Sequence, residues 1–202
     1  SIAYFVRDML VPTVKERHAG ITVNDMTALK GDDLLLVDGR VLALDGLPIP
    51  QGEGVVMNGD DLMIAKVSKT TADSIEAKCL GCFLNKLKAK VPNTGATVEL
   101  IKYPWDLISA NPKAITADFK AAGLSGIKGS MHPMSCIYGP EDQCYIAPGA
   151  EIHPTVVIDT KGGPVYIDEN VIVFPHSRIE GPCYIGQNTQ IVGGKIREGC
   201  SF

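Results

Sequence analysis

The chain has 202 residues, 45% of them hydrophobic and 21% charged, with a formal net charge of −4 and a pI near 5.5. That composition belongs to an ordinary globular protein of one or two domains, and its acidic balance excludes a nucleic-acid partner, which needs a concentrated basic surface. No apolar run approaches the ~18 residues of a membrane span, and no basic-then-apolar leader opens the chain, so a cytoplasmic setting without a membrane partner is expected.

The first predicted element is an amphipathic helix from Ile2 to His18, carried by Tyr4, Phe5, Met9, Leu10 and Val14 and kinked at Pro12. Residues 33–43 form a short apolar run broken by Asp38-Gly39, which reads as strand, turn and strand. Asp38 and Arg40 then stand either at a strand end, where mixed α/β sheets hold ligands, or in a plain hairpin turn with exposed charges. Gly54 to Val67 reads as a second hairpin turning at Asn58-Gly59.

From Thr71 to Lys90 one helix is expected, with Ile75, Leu80, Phe83, Leu84 and Leu87 on one face, acids in the first turn and lysines in the last. Cys79 and Cys82 make a lone Cys-x-x-Cys there. The six cysteines are scattered as reduced thiols are, and a structural zinc site would need a second ligand pair. Val98 to Tyr103 reads as a strand, and Asn111-Pro112 as the start of a helix that Gly123 stops. Between them, Tyr103 to Asn111 holds the only tryptophan, Asp106 and Asn111. Either these polar residues bind a ligand directly or they cap turns and helices, with Trp105 packing a domain edge. Residues 129–136 read as a joint.

Beyond the joint an aliphatic residue returns every six positions: Ile146, Ile152, Ile158, then Ile167, Val173, Ile179, Ile185, Ile191 and finally Ile196. A strand repeats every two residues and a helix every 3.6, so a strict six calls for a solenoid of short parallel strands. Small or β-branched residues four positions after each anchor (Ala150, Val156, Gly162, Val171, Ser177, Cys183, Thr189, Cys200) suit the inward corners of a narrow coil, and Lys195 alone breaks that set. Three residues are inserted around Lys161-Gly162-Gly163 and one is missing between Ile191 and Ile196. His153 and His176 lie on the coils either as exposed polar decoration or as part of a zinc site completed by a neighbouring subunit. Because the period is still running at Phe202 and no cap follows, the chain reads as an internal fragment.

The hexad solenoid, preceded by Tyr-Pro-Trp-Asp-Leu-Ile-Ser-Ala-Asn (103–111) and by Leu-Leu-Leu-Val-Asp-Gly-Arg (34–40), resembles a known group. It is similar to the bifunctional N-acetylglucosamine-1-phosphate uridyltransferase/glucosamine-1-phosphate acetyltransferase family, in a divergent bacterial branch. The resemblance implies a partial Rossmann-like α/β nucleotidyltransferase domain over residues 1–128 and the first coils of a left-handed β-helix over 137–202. It implies that a sugar 1-phosphate attacks a nucleoside triphosphate with Mg²⁺, that UDP-N-acetylglucosamine is formed, that acetyl-CoA is a possible co-substrate, and that the β-helix trimerises. Asn111 matches the family's metal-binding Asn. Asp38 lies near the family's metal-binding Asp, although the family reads Gly-Asp where this chain reads Asp38-Gly39. Asp38, Arg40 and Asp106 are the expected substrate-binding residues. The family's catalytic glycine-rich loop and acetyl-transfer histidine are expected outside this chain. Two competing readings are a non-catalytic oligomerisation or regulatory subunit of the same architecture and a β-helical zinc enzyme.

Overall fold

Met63, Ile64 and Ala65 are three consecutive apolar residues, a run that a strand buries only when both faces of its sheet are covered. The computed structural model describes residues 2–44 and 46–202 and divides into two compact units, Ser1–Leu100 and Ile101–Phe202. In the first unit, strand Asp61–Val67 is the centre of a three-stranded antiparallel sheet, flanked by Leu34–Val37 and Gly54–Asn58. One face packs on Ile75, Phe83 and Leu87, and the other on Val41, Leu47, Val98 and Leu100. All three central residues are fully buried. The parallel ladder of a Rossmann-like sheet is not found among the described residues of this unit. Its one paired parallel ladder, Ala3–Tyr4 with Thr22–Val23, is two residues long.

Several expected elements shift for local reasons. Helix α1 spans only Val11–Arg17, and Pro12 begins it rather than kinking it, because a first-turn residue needs no backbone N–H. The Asn58-Gly59 hairpin forms, but Asn58 pairs with Asp61, so the two-residue loop is Gly59-Asp60 with Gly59 at φ +58°. Asp38-Gly39-Arg40 does not close a hairpin. Leu34–Val37 pairs with the central strand, whereas Val41–Leu42 pairs with Glu99–Leu100, so the turn passes the chain between two sheets.

The helix expected from 71 to 90 is two helices, α2 (Lys69–Asp73) and α3 (Leu80–Lys90). The Lys30 ammonium ends the first by donating to the carbonyls of Ala72, Asp73 and Ile75 at 3.0, 2.9 and 2.7 Å. Cys79 starts the second as its N-cap, its sulfur accepting the Cys82 N–H at 3.2 Å.

In the second unit, helix α4 runs from Pro104 to Ala122, starting seven residues before the expected Asn111. Pro104 occupies its first turn and Asp106 accepts the N–H groups of Lys102 and Tyr103 at 2.8 and 2.9 Å, a complete start signal upstream of Pro112. Pro112 lies inside the helix, and Gly123 at φ +61° terminates it as expected.

The remaining strands form three all-parallel sheets of four, five and four strands, the repeating faces of a β-helix. Ile172 pairs with Gln190, 18 residues on, or three hexads per coil. Cys144 pairs with Val165 across 21 residues and Cys183 with Cys200 across 17, so both irregularities of the period are absorbed between strands while the ladders stay in register. The anchors from Ile146 to Ile191 are buried and form one continuous core with Ala150, Val156 and Val171. Gly162 departs from its expected inward place. It is exposed in the three-residue insertion, and fully buried Val165 takes the corner instead. The ladders begin at Gly126–Ile127 and Ser130–Met131, so part of the 129–136 segment already belongs to the first coil. Gly129 is required there, because a Cβ would lie 2.6 Å from the Ala147 carbonyl oxygen. No described helix is long and apolar enough to cross a membrane.

Ile167 sits fully buried in the middle of the column. Ile167→Ala should destabilise the protein by about 2–5 kcal/mol, while Val192→Ala at an exposed site should change it by less than about 0.5 kcal/mol. Equilibrium chemical denaturation of both variants checks this.

Candidate functional site

Asp38 and Arg40 are brought together by the tight turn between their strands. The guanidinium grips the carboxylate in two-point fashion, Nε to Oδ1 at 3.0 Å and Nη2 to Oδ2 at 2.9 Å, and Nη2 also reaches Asp61 Oδ2 at 3.1 Å. The Arg40 backbone N–H donates to Asp38 Oδ1 at 2.9 Å as well. The Arg40 side chain beside it holds the Asp38 carboxyl below the usual carboxylate range, and the two carboxylates push the Arg40 guanidinium higher still. One cation facing two anions gives this corner a net negative charge, so another anion could reach the guanidinium only by displacing one of its carboxylate partners.

Asp106 and Asn111 both lie on α4. The Asp106 carboxylate caps the helix, as described. Asn111 Nδ2 donates to the Gly199 carbonyl at 2.7 Å and to Ser201 Oγ at 3.0 Å, and the Ser201 hydroxyl returns a longer contact of 3.4 Å to Asn111 Oδ1. Asn111 therefore ties the helix to the last coil, 88 and 90 residues further along the chain. Of the two readings open for these residues, capping and tethering are what the contacts show. Trp105 packs no edge of its unit: it is 61% exposed and stacks on Tyr103 with ring centroids 4.7 Å apart.

A concavity that sequence reasoning missed lies in the same unit, between α4 and the outer surface of one solenoid face. Tyr145, Tyr166 and Tyr184 are register partners on successive coils and form a column, with ring centroids 5.0 and 5.5 Å apart. Phe119 packs against its first two rings. Beside it opens a cavity of about 270 Å³ lined by Asn111, Asp118, Phe119, Tyr166, Tyr184 and Ser201 among others. The Tyr184 hydroxyl donates to Asp168 Oδ2 at 2.8 Å, and that bond raises its pKa. Burial does the same for Tyr166. Aromatic walls with a few polar groups suit a small ring-shaped ligand held by stacking and hydrogen bonds. The signal was the tyrosine spacing of 21 and 18 residues, which follows the coil lengths rather than six.

Asn111 by itself does not make a donor set for Mg²⁺, and Asp118 is the carboxylate that shares its cavity. Such a site needs one or two carboxylates alongside substrate oxygens, and here the carboxamide faces a backbone carbonyl and a hydroxyl. Among the described residues no group of three His, Cys, Asp or Glu could hold a metal ion. His153 lies against Phe174, with its Nε2 3.9 Å from Glu151, and His176 Nδ1 lies 3.3 Å from Thr155 Oγ1. A further charged cluster covers another solenoid face. Glu180 receives Arg178 at 3.0 Å, Lys195 at 2.9 Å and Arg197 at 3.3 Å, while Arg178 also binds Asp159.

A mixed α/β region followed by a parallel β-helix, with a helix laid over an aromatic column, is the architecture of a two-part protein rather than of a simple solenoid. The sugar nucleotidyl transferase family matches residues 1–124, more than half of the chain, and the chain belongs to that family. No curated protein matches the sequence.

Asp38 titrates with a folded pKa below its unfolded value, so its contribution to stability is complete above about pH 4 and is lost as pH falls through the folded value. Asp38→Asn should therefore be less stable than the parent at neutral pH, with the gap closing below about pH 4. Urea unfolding midpoints across pH 2 to 7 measure this, and a gap independent of pH would count against the ion pair. Asp106→Ala should cost about 1 kcal/mol through loss of the helix start, visible in the same unfolding experiment at pH 7.

Proposed function

We propose that this chain is part of a sugar-1-phosphate nucleotidyltransferase that forms UDP-N-acetylglucosamine, with its β-helix joining subunits into a homotrimer. The observation that carries the reading is the family match over residues 1–124, joined directly to the first coil of a parallel β-helix at Gly126. In this reaction an oxygen of the sugar 1-phosphate attacks the α-phosphorus of the nucleoside triphosphate, and pyrophosphate leaves. Positioning and charge stabilisation supply most of the catalysis in such transfers. Arg40 is the member of the expected set with the chemistry for that role, since its fork can exchange Asp61 for a phosphate oxygen while keeping Asp38. Asp38 holds the fork in plane, and Asp106 and Asn111 serve by fixing α4. Mg²⁺ and acetyl-CoA belong to this proposal through the family resemblance, and no step is routed through residues here for either. Sugar-amine acetylation would be a second activity of the solenoid half.

A second reading, a non-catalytic assembly subunit of the same architecture, is favoured by one observation: Asp38, Arg40, Asp106 and Asn111 all have partners inside the fold. The two readings separate in one experiment. The protein with any flanking sequence its reading frame carries is incubated with UTP, N-acetylglucosamine 1-phosphate and Mg²⁺, and pyrophosphate release is followed. The enzyme reading expects turnover that Arg40→Ala reduces at least about tenfold, the scale of one charge-assisted bidentate contact. Absence of turnover together with a trimer in sedimentation would overturn it in favour of the assembly reading.

A further inference from the structure

Cys79 and Cys82 take no part in the sites above, yet their geometry is specific. Cys79 has an extended backbone, φ −149° and ψ 159°, which turns its sulfur back over the first turn of α3. There the sulfur accepts the Cys82 N–H at 3.2 Å, and the two sulfurs lie 2.6 Å apart. The helix start thus holds the two sulfurs together on one side. Both residues are exposed. The 11-residue α3 points the positive end of its dipole at Cys79, which favours a thiolate there. Hydrogen bonding from the Cys82 thiol, then from backbone N–H groups, pulls the Cys79 thiol down, while the Cys82 thiol is pushed up. The pair is thus unequal, one thiol suited to attack and the other to resolve. Buried Cys144 and Cys183 are the opposite case, each pushed up to about 12 by burial.

We propose that Cys79 and Cys82 form a thiol–disulfide exchange site whose substrate is a low-molecular-weight disulfide. The Cys79 thiolate attacks one sulfur of the substrate, forming a mixed disulfide and releasing the other half as a thiolate. Cys82 gives up its proton and attacks Cys79 Sγ, closing the Cys79–Cys82 bond and releasing the second half. Two protein thiols are oxidised to one disulfide, and one substrate disulfide is reduced to two thiols. A reduced dithiol reverses the sequence. The spacing matters because the intervening Leu80 and Gly81 form the first helical turn, which sets both sulfurs on one side of the helix end. Exposed Cys136 has no neighbouring thiol among its described contacts and supplies an internal reference.

The test incubates the reduced protein with glutathione disulfide, quenches with acid, alkylates the remaining thiols and maps them by peptide mass spectrometry. Cys79 and Cys82 should lose alkylation together and appear as one intramolecular disulfide. In Cys82→Ser the reaction should stop at a glutathione adduct on Cys79, formed about tenfold faster than the adduct on Cys136. Independent adducts on Cys79 and Cys82 in the parent protein, or a disulfide from either to a different cysteine, would overturn the proposal. So would equal adduct rates at Cys79 and Cys136. The parent protein's map decides the matter without the variant should Cys82→Ser fail to fold.

Discussion

The second unit depends on one constraint, the return of an inward aliphatic side chain at every sixth residue. Each short strand contributes one such residue, and parallel pairing places Ile146 beside Ile167 and then Ile185 on one face, with Ile158 beside Ile179 on another. Each buried column is therefore made of nearly identical side chains, and the backbone bonds between coils stay in register only while that identity holds. Every coil buries its neighbour's apolar edge, at roughly 1.5–3 kcal/mol for each large side chain removed from water. The narrow interior also explains the corners. Ala150, Val156, Val171 and Cys183 fit where a longer side chain would push the ladder apart.

Because the inward residues carry the fold, the outward positions are released to do other things. One face uses them for stacked tyrosines and a covering helix, and another for the charge ladder around Glu180. The insertions obey the same division. Lys161-Gly162-Gly163 lies outside the ladder, and its Lys161 ammonium settles 3.7 Å over the Tyr138 ring of the preceding coil. The Thr160 hydroxyl closes the same corner by donating to the Pro140 carbonyl at 2.8 Å. An inserted segment can thus be ordered by the coil beneath it without disturbing the column inside.

The solenoid was legible in the sequence because its signal is periodic and every coil repeats it. The α/β unit was less so, and the reasons differ from place to place. The stretch from 71 to 90 has one helical apolar face, which conceals a break at 74–79 that a lysine far upstream and a cysteine cap create. Cysteine does not rank among the usual N-caps, so no local rule marked it. For α4, the start lies at Pro104 and Asp106, and Asn111-Pro112, expected to open the helix, is interior to it. Pro112 inside the helix has a tertiary partner: its ring packs so closely on Gly199 that a Cβ there would lie 2.7 Å from it. The candidate site residues were legible as chemistry-bearing types but not in their roles. Asp61, Gly199 and Ser201, the partners that define those roles, are remote in sequence from Arg40 and Asn111, and no spacing rule links them.

Family membership and local chemistry answer different questions in this chain. A sequence family records which side chains occupy which positions, and the same side chain can be a ligand in one member and a strut in another. Asn111 illustrates the difference. Its carboxamide can coordinate a cation through Oδ1 or fix two segments through Nδ2, and here Nδ2 holds Gly199 and Ser201. The same holds for Asp38, whose charge is balanced inside its own turn by Arg40, in a pair that Asp61 makes a triad. With one guanidinium for two carboxylates the triad is net negative, and Asp61 is held by a single contact where Asp38 is held by two. Desolvation then decides between strut and ligand. The Arg40 side chain is 45% exposed and that of Asp61 60%, so their bond is the weakly held edge of the triad, whereas Asp38 at 25% is its anchored centre.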